Sequence, residues 1–130
     1  MTKSAILGKG MQPPSAPYSF AVEAQGRRTL HVSGQVPVDP QGNLVGKGDI
    51  RAQTVQVFEN VKALVEAAGG TMDNVVKVGI FVTDIRFRDT ITEVRRQYLR
   101  EPFPASTMVE ISRLVSPDWL VEIEAVAVLD

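Results

Sequence analysis

Cysteine and histidine, two residue types that often carry catalysis, are nearly absent from this 130-residue chain. There is no cysteine, which excludes thiolate nucleophiles, disulfides and zinc–cysteine sites. His31 is the only histidine, and no residues at metal-ligand spacing surround it, so a structural role is favoured. Ser33 and Ser106 would need an adjacent base to act as nucleophiles, and the sequence offers no Ser/His/Asp arrangement.

Glu122 and Glu124 stand two residues apart near the C-terminus, and a strand there places both side chains on one face. A carboxylate in a partly apolar cleft can position water and transfer a proton. Alternatively, Glu124 is an interface residue that pairs with a neighbouring chain. For Glu122 an ion pair with Lys77 is the favoured interpretation.

The pattern of the chain predicts two helices and about six strands. Asp49 can cap a first helix that runs to about Ala68, and Phe87–Arg100 predicts a second helix. The second helix has four predicted inner positions, Ile91, Val94, Tyr98 and Leu99. The predicted strands are Ser4–Gly8, Ser19–Ala24, Thr29–Val36, Val75–Val82, Ser106–Ile111 and Leu120–Leu129, with the second and third forming a hairpin at Gly26. This order predicts one α+β domain with helices on one face of the sheet.

Side-chain alternation divides the predicted sheet into two faces. One face is apolar and should pack under the helices: Leu30, Val32, Val76, Val78, Ile80, Val82, Val109, Ile111, Val121, Ile123 and Ala125. The other face is mixed: His31, Ser33, Lys77, Phe81, Ser106, Met108, Glu110, Glu122, Glu124, Val126 and Val128. Either solvent covers this mixed face, or other copies of the chain close it and gather its polar groups in clefts.

Five motifs stand in order along the chain: Pro17–Tyr18, Ser33–Pro37, Asn60–Gly69, Phe103–Glu110 and Val121–Ala127. Together they resemble the RidA/YjgF family of imine and enamine deaminases over most of the chain. The resemblance implies a chorismate-mutase-like single domain spanning residues 1–130, with a six-stranded mixed sheet and two helices on one face. It also implies a homotrimer whose sheets form a central barrel, with three clefts between subunits.

In active members of that family, small imines or enamines such as 2-aminoacrylate are hydrolysed to 2-keto acids and ammonia without a metal or organic cofactor. An arginine directly after Pro-Ala holds the substrate carboxylate, and here that position is Ser106. A hydroxyl offers one donor and no charge, whereas a guanidinium binds a carboxylate bidentately. Loss of such a contact costs about 2–5 kcal/mol. We therefore expect weak or absent activity on 2-aminoacrylate.

The resemblance implies a site in which Glu124 is the catalytic residue. The implied substrate-binding residues are Tyr18, Gly34, Thr92, Ser106, Thr107 and Met108. Simple packing is the alternative for Tyr18 and Met108, and a strand bulge for Gly34. The arginines of the second helix, Arg95 among them, are interpreted as a solvated surface, with the alternative that one reaches a cleft and supplies the lost charge.

Composition narrows the possible partners. The formal net charge of −1 gives no broad attraction to nucleic acid or to anionic lipid, and no apolar run is long enough to span a membrane. The first residues lack the apolar core of a signal peptide, which predicts a cytoplasmic protein. With Ser106 in place of the family's arginine, the resemblance implies hydrolysis of a reactive imine or enamine other than 2-aminoacrylate in an inter-subunit cleft. The alternative is a non-catalytic trimer that binds a small ligand.

Overall fold

The computed structural model describes residues 1–130 and shows an α+β fold, which confirms the predicted class. There are two α-helices, α1 (Ile50–Ala67) and α2 (Arg88–Tyr98). The six strands are β1 (Thr2–Ile6), β2 (Ala21–Gln25), β3 (Arg28–Gln35), β4 (Val75–Val82), β5 (Ala105–Glu110) and β6 (Val121–Leu129). Short 3₁₀ turns precede β4 and α2. Neither helix is long and apolar enough to cross a membrane.

Helix α1 begins and ends where the sequence indicates. The Asp49 carboxylate accepts a hydrogen bond of 3.1 Å from the backbone N–H of Ala52, which satisfies one of the free donors of the first turn. Gly69 follows the helix with φ of +90°, a conformation that a side chain would disfavour. Four residues at helical spacing face the sheet and are fully buried: Val57, Phe58, Val61 and Val65.

The six strands form two sheets rather than one. A four-stranded sheet has the order β3-β6-β4-β5, and β1 and β2 form a separate antiparallel pair. The predicted hairpin between β2 and β3 is therefore wrong. A Cβ on Gly26 would lie 2.5 Å from the Leu129 carbonyl oxygen, so the chain turns tightly against the end of β6. From there β3 runs antiparallel to β6, with Val32 opposite Ala125.

The register of β4 and β5 corrects the predicted faces of the sheet. Strand β5 runs parallel to β4, with Ser106 beside Val78 and Met108 beside Ile80. Because Val78 and Ile80 are buried under the helices, Ser106 and Met108 belong to that helical face, and not to the mixed face as predicted. The segment Ala105–Glu110 lacks a clear alternation of apolar and polar residues, so its sequence left the phase undetermined.

Two further residues of β5 also lie on the face opposite to the predicted one, and β4 departs from the prediction at its start. Glu110 pairs with Val82 and its carboxylate accepts the Ile85 backbone N–H at 2.9 Å, on the helical side. Val109, predicted to be core, is 40% exposed on the opposite face. A register shift after Val75 buries that residue in place of the half-buried Val76.

Gln53 is a polar residue inside the helical layer that holds two loops to α1. Its side chain is fully buried and donates hydrogen bonds to the carbonyls of Gly46 (3.0 Å) and Asp118 (2.9 Å). Its amide oxygen accepts the Leu120 backbone N–H at 2.8 Å. One side chain thus satisfies three backbone groups near the start of β6.

We predict that Gln53→Leu lowers the free energy of unfolding by about 2–4 kcal/mol, because it leaves three backbone groups without partners. Urea denaturation measures the change. Gln97→Leu, the same substitution at an exposed position of α2, should change it by less than about 0.5 kcal/mol. Equal effects at the two positions would contradict this role for Gln53.

Candidate functional site

A cavity of about 530 Å³ lies on the helical side, between α2, β5 and the loop that precedes β2. It brings together four of the predicted site residues, Tyr18, Thr92, Ser106 and Met108. The rest of its lining is Pro14, Ser15, Ala16, Arg88, Asp89 and Arg95. The cavity is partly open to solvent, so a small molecule can enter.

The neighbouring Ser19 fixes the position of Tyr18. The Ser19 hydroxyl donates to the Phe103 carbonyl at 2.6 Å, and its backbone N–H donates to the Pro104 carbonyl at 2.9 Å. Ser19 is buried and forms an isolated parallel bridge with Ala105, the first residue of β5. These contacts attach the loop to the strand that carries Ser106, and they place the Tyr18 ring at the cavity.

Sequence reasoning assigned Arg95 to a solvated surface, and the structure contradicts this. Arg95 is only 4% exposed, and its Nη1 donates a hydrogen bond of 2.9 Å to the Ser106 hydroxyl. Its Nε is buried without any hydrogen-bond partner. The guanidinium thus lies in the cavity wall beside Ser106.

The Arg95 side chain has no carboxylate partner. No salt bridge of the chain includes it, whereas Arg88, on the rim of the same cavity, lies 3.5 Å from Asp89. Burial, and secondarily the charge of Arg96, lower the pKa of the Arg95 guanidinium, although arginine stays protonated in proteins. A buried cation without a counter-charge typically costs several kcal/mol. The folded chain therefore holds an uncompensated positive charge beside Ser106.

The helical periodicity contained a signal for this burial. Ile91, Val94 and Tyr98 stand at positions i, i+3 and i+7 of an inner stripe, and Arg95 occupies the remaining position, i+4. An arginine inside an apolar stripe is unusual because burial of its charge is unfavourable. That conflict between residue type and position marks Arg95 as a candidate functional residue.

A second group of site residues lies on the opposite face of the sheet, which no helix covers. Glu124 and Thr107 flank Gly79 there and line a shallow pocket of about 190 Å³. Lys77 also lines it and its Nζ lies 3.4 Å from the Thr107 hydroxyl. Phe81 adds an apolar wall. The Glu124 side chain is exposed in the single chain, with no hydrogen bond or ion pair.

Gly34 lies on this open face but outside the shallow pocket. A Cβ at Gly34 would fall 2.4 Å from the Glu122 Oε2, so only glycine allows the carboxylate to lie this close. Strand β3 is irregular between Val32 and Gln35, which agrees with the bulge considered for this position. The favoured ion pair of Glu122 with Lys77 is absent, because Glu122 pairs across the sheet with Phe81 and turns toward Gly34.

The seven predicted site residues thus divide between two faces of one sheet. Ser106 and Thr107 are consecutive, yet the pleat directs the first toward α2 and the second toward Glu124. A single chain therefore does not place Ser106 and Glu124 in one pocket. We call the cavity with Ser106 the helical half-site and the surface around Glu124 the open half-site. No three acidic or histidine side chains are close enough to hold a metal ion.

Comparison with known proteins assigns the chain to one family. The sequence profile described as Endoribonuclease L-PSP matches residues 10–129. A RutC family protein of Pyrococcus horikoshii is 42% identical over 96% of this chain and 97% of its own length. The chain belongs to the RidA/YjgF, or Rid, family.

Two further Rid relatives resemble the chain over its full length. The crystal structure of a conserved Rid family protein from Yersinia pestis, titled as being of unknown function, superposes with a TM-score of 0.91 at 34% identity. That match covers 99% of this chain and 100% of the other. The 2-iminobutanoate/2-iminopropanoate deaminase of Dermatophagoides farinae is 35% identical over 100% of both chains. The family fold is therefore present from end to end.

We predict that Ser106→Ala lowers the free energy of unfolding by about 1–2 kcal/mol, because it removes the one side-chain acceptor of the buried Arg95. Chemical denaturation gives the value. Thr107→Ala, one residue away on the open face, is the matched control and should cost less than about 0.5 kcal/mol. The prediction fails if Ser106→Ala is as mild as the control.

Proposed function

We propose that this protein hydrolyses a reactive imine or enamine to ammonia and a keto product in clefts between subunits of a homotrimer. The observation that carries the proposal is the division of the site residues between two faces of one sheet. Family membership and the full-length similarity to a 2-imino-acid deaminase support the chemistry. A cleft between chains is the arrangement in which a helical half-site and an open half-site can act on one molecule.

The uncovered face of the sheet supports the assembly. Val109 is 40% exposed, and Phe81, Val126 and Val128 are half-buried with no helix over them. Apolar side chains on an otherwise unpartnered sheet face are typical of a surface that another subunit covers. In a closed trimer each chain presents its open half-site to the helical half-site of a neighbour, which gives three equivalent clefts.

The reaction needs water, a proton carrier and a site that binds the substrate. Water adds its oxygen to the C=N carbon while the Glu124 carboxylate accepts a proton from it. That proton passes to the nitrogen of the tetrahedral adduct. The hydroxyl of the adduct then gives its own proton, through the same carboxylate, to the nitrogen, so that the C–N bond breaks, the C=O bond forms and ammonia leaves. An enamine first takes a proton on carbon to become the imine. Overall, one imine and one water give one carbonyl compound and one ammonia, without a cofactor.

The other site residues bind and shape the substrate in this proposal. Tyr18 and Thr92 offer hydroxyl groups at the mouth of the helical half-site, and Met108 supplies a flexible apolar wall. Thr107 holds its hydroxyl beside Lys77 on the open face. Gly34 leaves its backbone accessible where a side chain would collide with Glu122.

We further propose a substrate other than 2-aminoacrylate. Ser106 places a neutral hydroxyl where active relatives place a cation on the strand, so an anionic group must be held from another element or be absent. The helical half-site, at about 530 Å³, also offers room for a larger molecule.

We predict that the protein releases ammonia from at least one member of a panel of enamines and imines that differ in size and charge. Glu124→Gln should reduce the rate about 100-fold or more, because an amide cannot accept the proton from water. A coupled assay for ammonia, corrected for spontaneous hydrolysis, measures both. Glu23→Gln, in the separate two-stranded sheet, is the control and should leave the rate unchanged.

The proposal fails if no panel member turns over above the uncatalysed rate, or if Glu124→Gln is as active as the parent. Thermal stabilisation by keto acids without turnover would instead support the alternative of a ligand-binding trimer.

We predict a solution mass of three times the 14.2 kDa of one chain. Val126→Asp should give monomers, because it puts a charge in the middle of the uncovered face. Light scattering at micromolar concentration gives the mass. Leu64→Asp, at an exposed apolar residue of α1, is the control and should remain trimeric. A monomeric parent would contradict the assembly.

A further inference from the structure

We propose that Arg95 is the residue that binds the carboxylate of the substrate, so that α2 supplies the positive charge that β5 lacks at Ser106. This inference rests on the proposed function, because it assigns the substrate of the same cleft. It identifies the substrate class as imines or enamines that carry a carboxylate, with the anion held between α2 and β5.

The first argument is the missing counter-charge. Arg95 is only 4% exposed, and its buried Nε has no hydrogen-bond partner. The one hydrogen bond of its side chain goes to a neutral hydroxyl, that of Ser106. The paired arginines of this chain are all on the surface: Arg51, Arg86, Arg88 and Arg100. Unsatisfied buried groups require an explanation, and the ligand chemistry that satisfies a guanidinium is a planar anion.

The second argument is the location of the charge. Arg95 lines the cavity that also contains Tyr18, Thr92 and Ser106. The nearby acid of the cavity, Asp89, lies 3.5 Å from the Arg88 guanidinium and forms no salt bridge with Arg95. A carboxylate that enters the cavity therefore meets a cation without a competing partner.

The third argument is the contact with Ser106. Because Nη1 donates to the Ser106 hydroxyl, the hydroxyl proton is free to point into the cavity. Guanidinium and hydroxyl together then offer N–H and O–H donors to the two oxygens of one carboxylate.

The test measures binding of a keto acid product, 2-oxobutanoate, and of its uncharged methyl ester by isothermal titration calorimetry. We expect the parent to bind the acid, and Arg95→Met to weaken binding of the acid about 30-fold or more. Binding of the ester should stay within about twofold, because the ester carries no charge to pair. Arg100→Met removes the same charge from an exposed position just after α2, where it pairs with Asp73 outside the cavity, and should leave both affinities unchanged.

Two further variants keep the proposal falsifiable if Arg95→Met folds poorly. Arg95→Lys retains the charge without the planar fork and should weaken acid binding by an intermediate factor. Ser106→Arg added to Arg95→Met returns a guanidinium to the cavity from the strand and should restore acid binding. Neither result is expected of an arginine that only supports the fold.

The inference is overturned if the parent does not bind 2-oxobutanoate, if Arg95→Met binds it as well as the parent, or if acid and ester lose affinity equally. Turnover separates this outcome from the proposed function. Hydrolysis of an imino acid that is unchanged in Arg95→Met would overturn the role of Arg95 and leave the deaminase proposal standing. Arg95-dependent binding of the acid without any turnover would support Arg95 and overturn the proposed hydrolysis.

Discussion

The pleat of the four-stranded sheet is the constraint on which the rest of this structure depends. Successive residues of a strand point to opposite faces, so the strand that carries Ser106 toward α2 must carry Thr107 toward Glu124. The same alternation keeps Glu124 on the uncovered side of β6, between the buried Ile123 and Ala125. A chain built in this way presents two incomplete polar surfaces, and a functional site that uses both must combine surfaces from two chains.

Burial of a charge is the second determinant of the site. Most of the helical layer is apolar and closely packed, and α2 nevertheless directs an arginine into it. Such an arrangement destabilises the isolated chain unless an anion compensates it. If Arg95 binds the carboxylate of the substrate as proposed, α2 supplies the positive charge that the strand does not carry at Ser106, and the cleft keeps a cation for its ligand.

Most helices and strands could be predicted because their ends and their buried sides depend on residues that are close together in the sequence. Asp49 and Gly69 define α1, the apolar stripe of α1 identifies its buried side, and β4 runs over the predicted residues Val75–Val82. Pairing between distant strands could not be predicted in the same way, because the turn at Gly26 indicates a bend and does not determine that β3 pairs with β6. The faces predicted for the residues of β5 were wrong because apolar and polar residues do not alternate clearly along this strand. For Arg95 the exposed surface was the favoured prediction and a cleft the alternative, because arginine is rarely buried, whereas its position in the apolar stripe of α2 indicated burial.

The central claim is that the helical half-site of one subunit works with the open half-site of another, and subunit mixing tests it most directly. Thr92→Trp fills the helical half-site and Glu124→Gln disables the open one, so each homotrimer should be inactive. Trimers assembled at random from equal amounts of both should regain about a quarter of the parent activity, because each of two independent subunits is intact with a probability of about one half. If the mixed trimers are as inactive as the two single-variant homotrimers, both half-sites of a cleft must come from one chain, which would contradict the account.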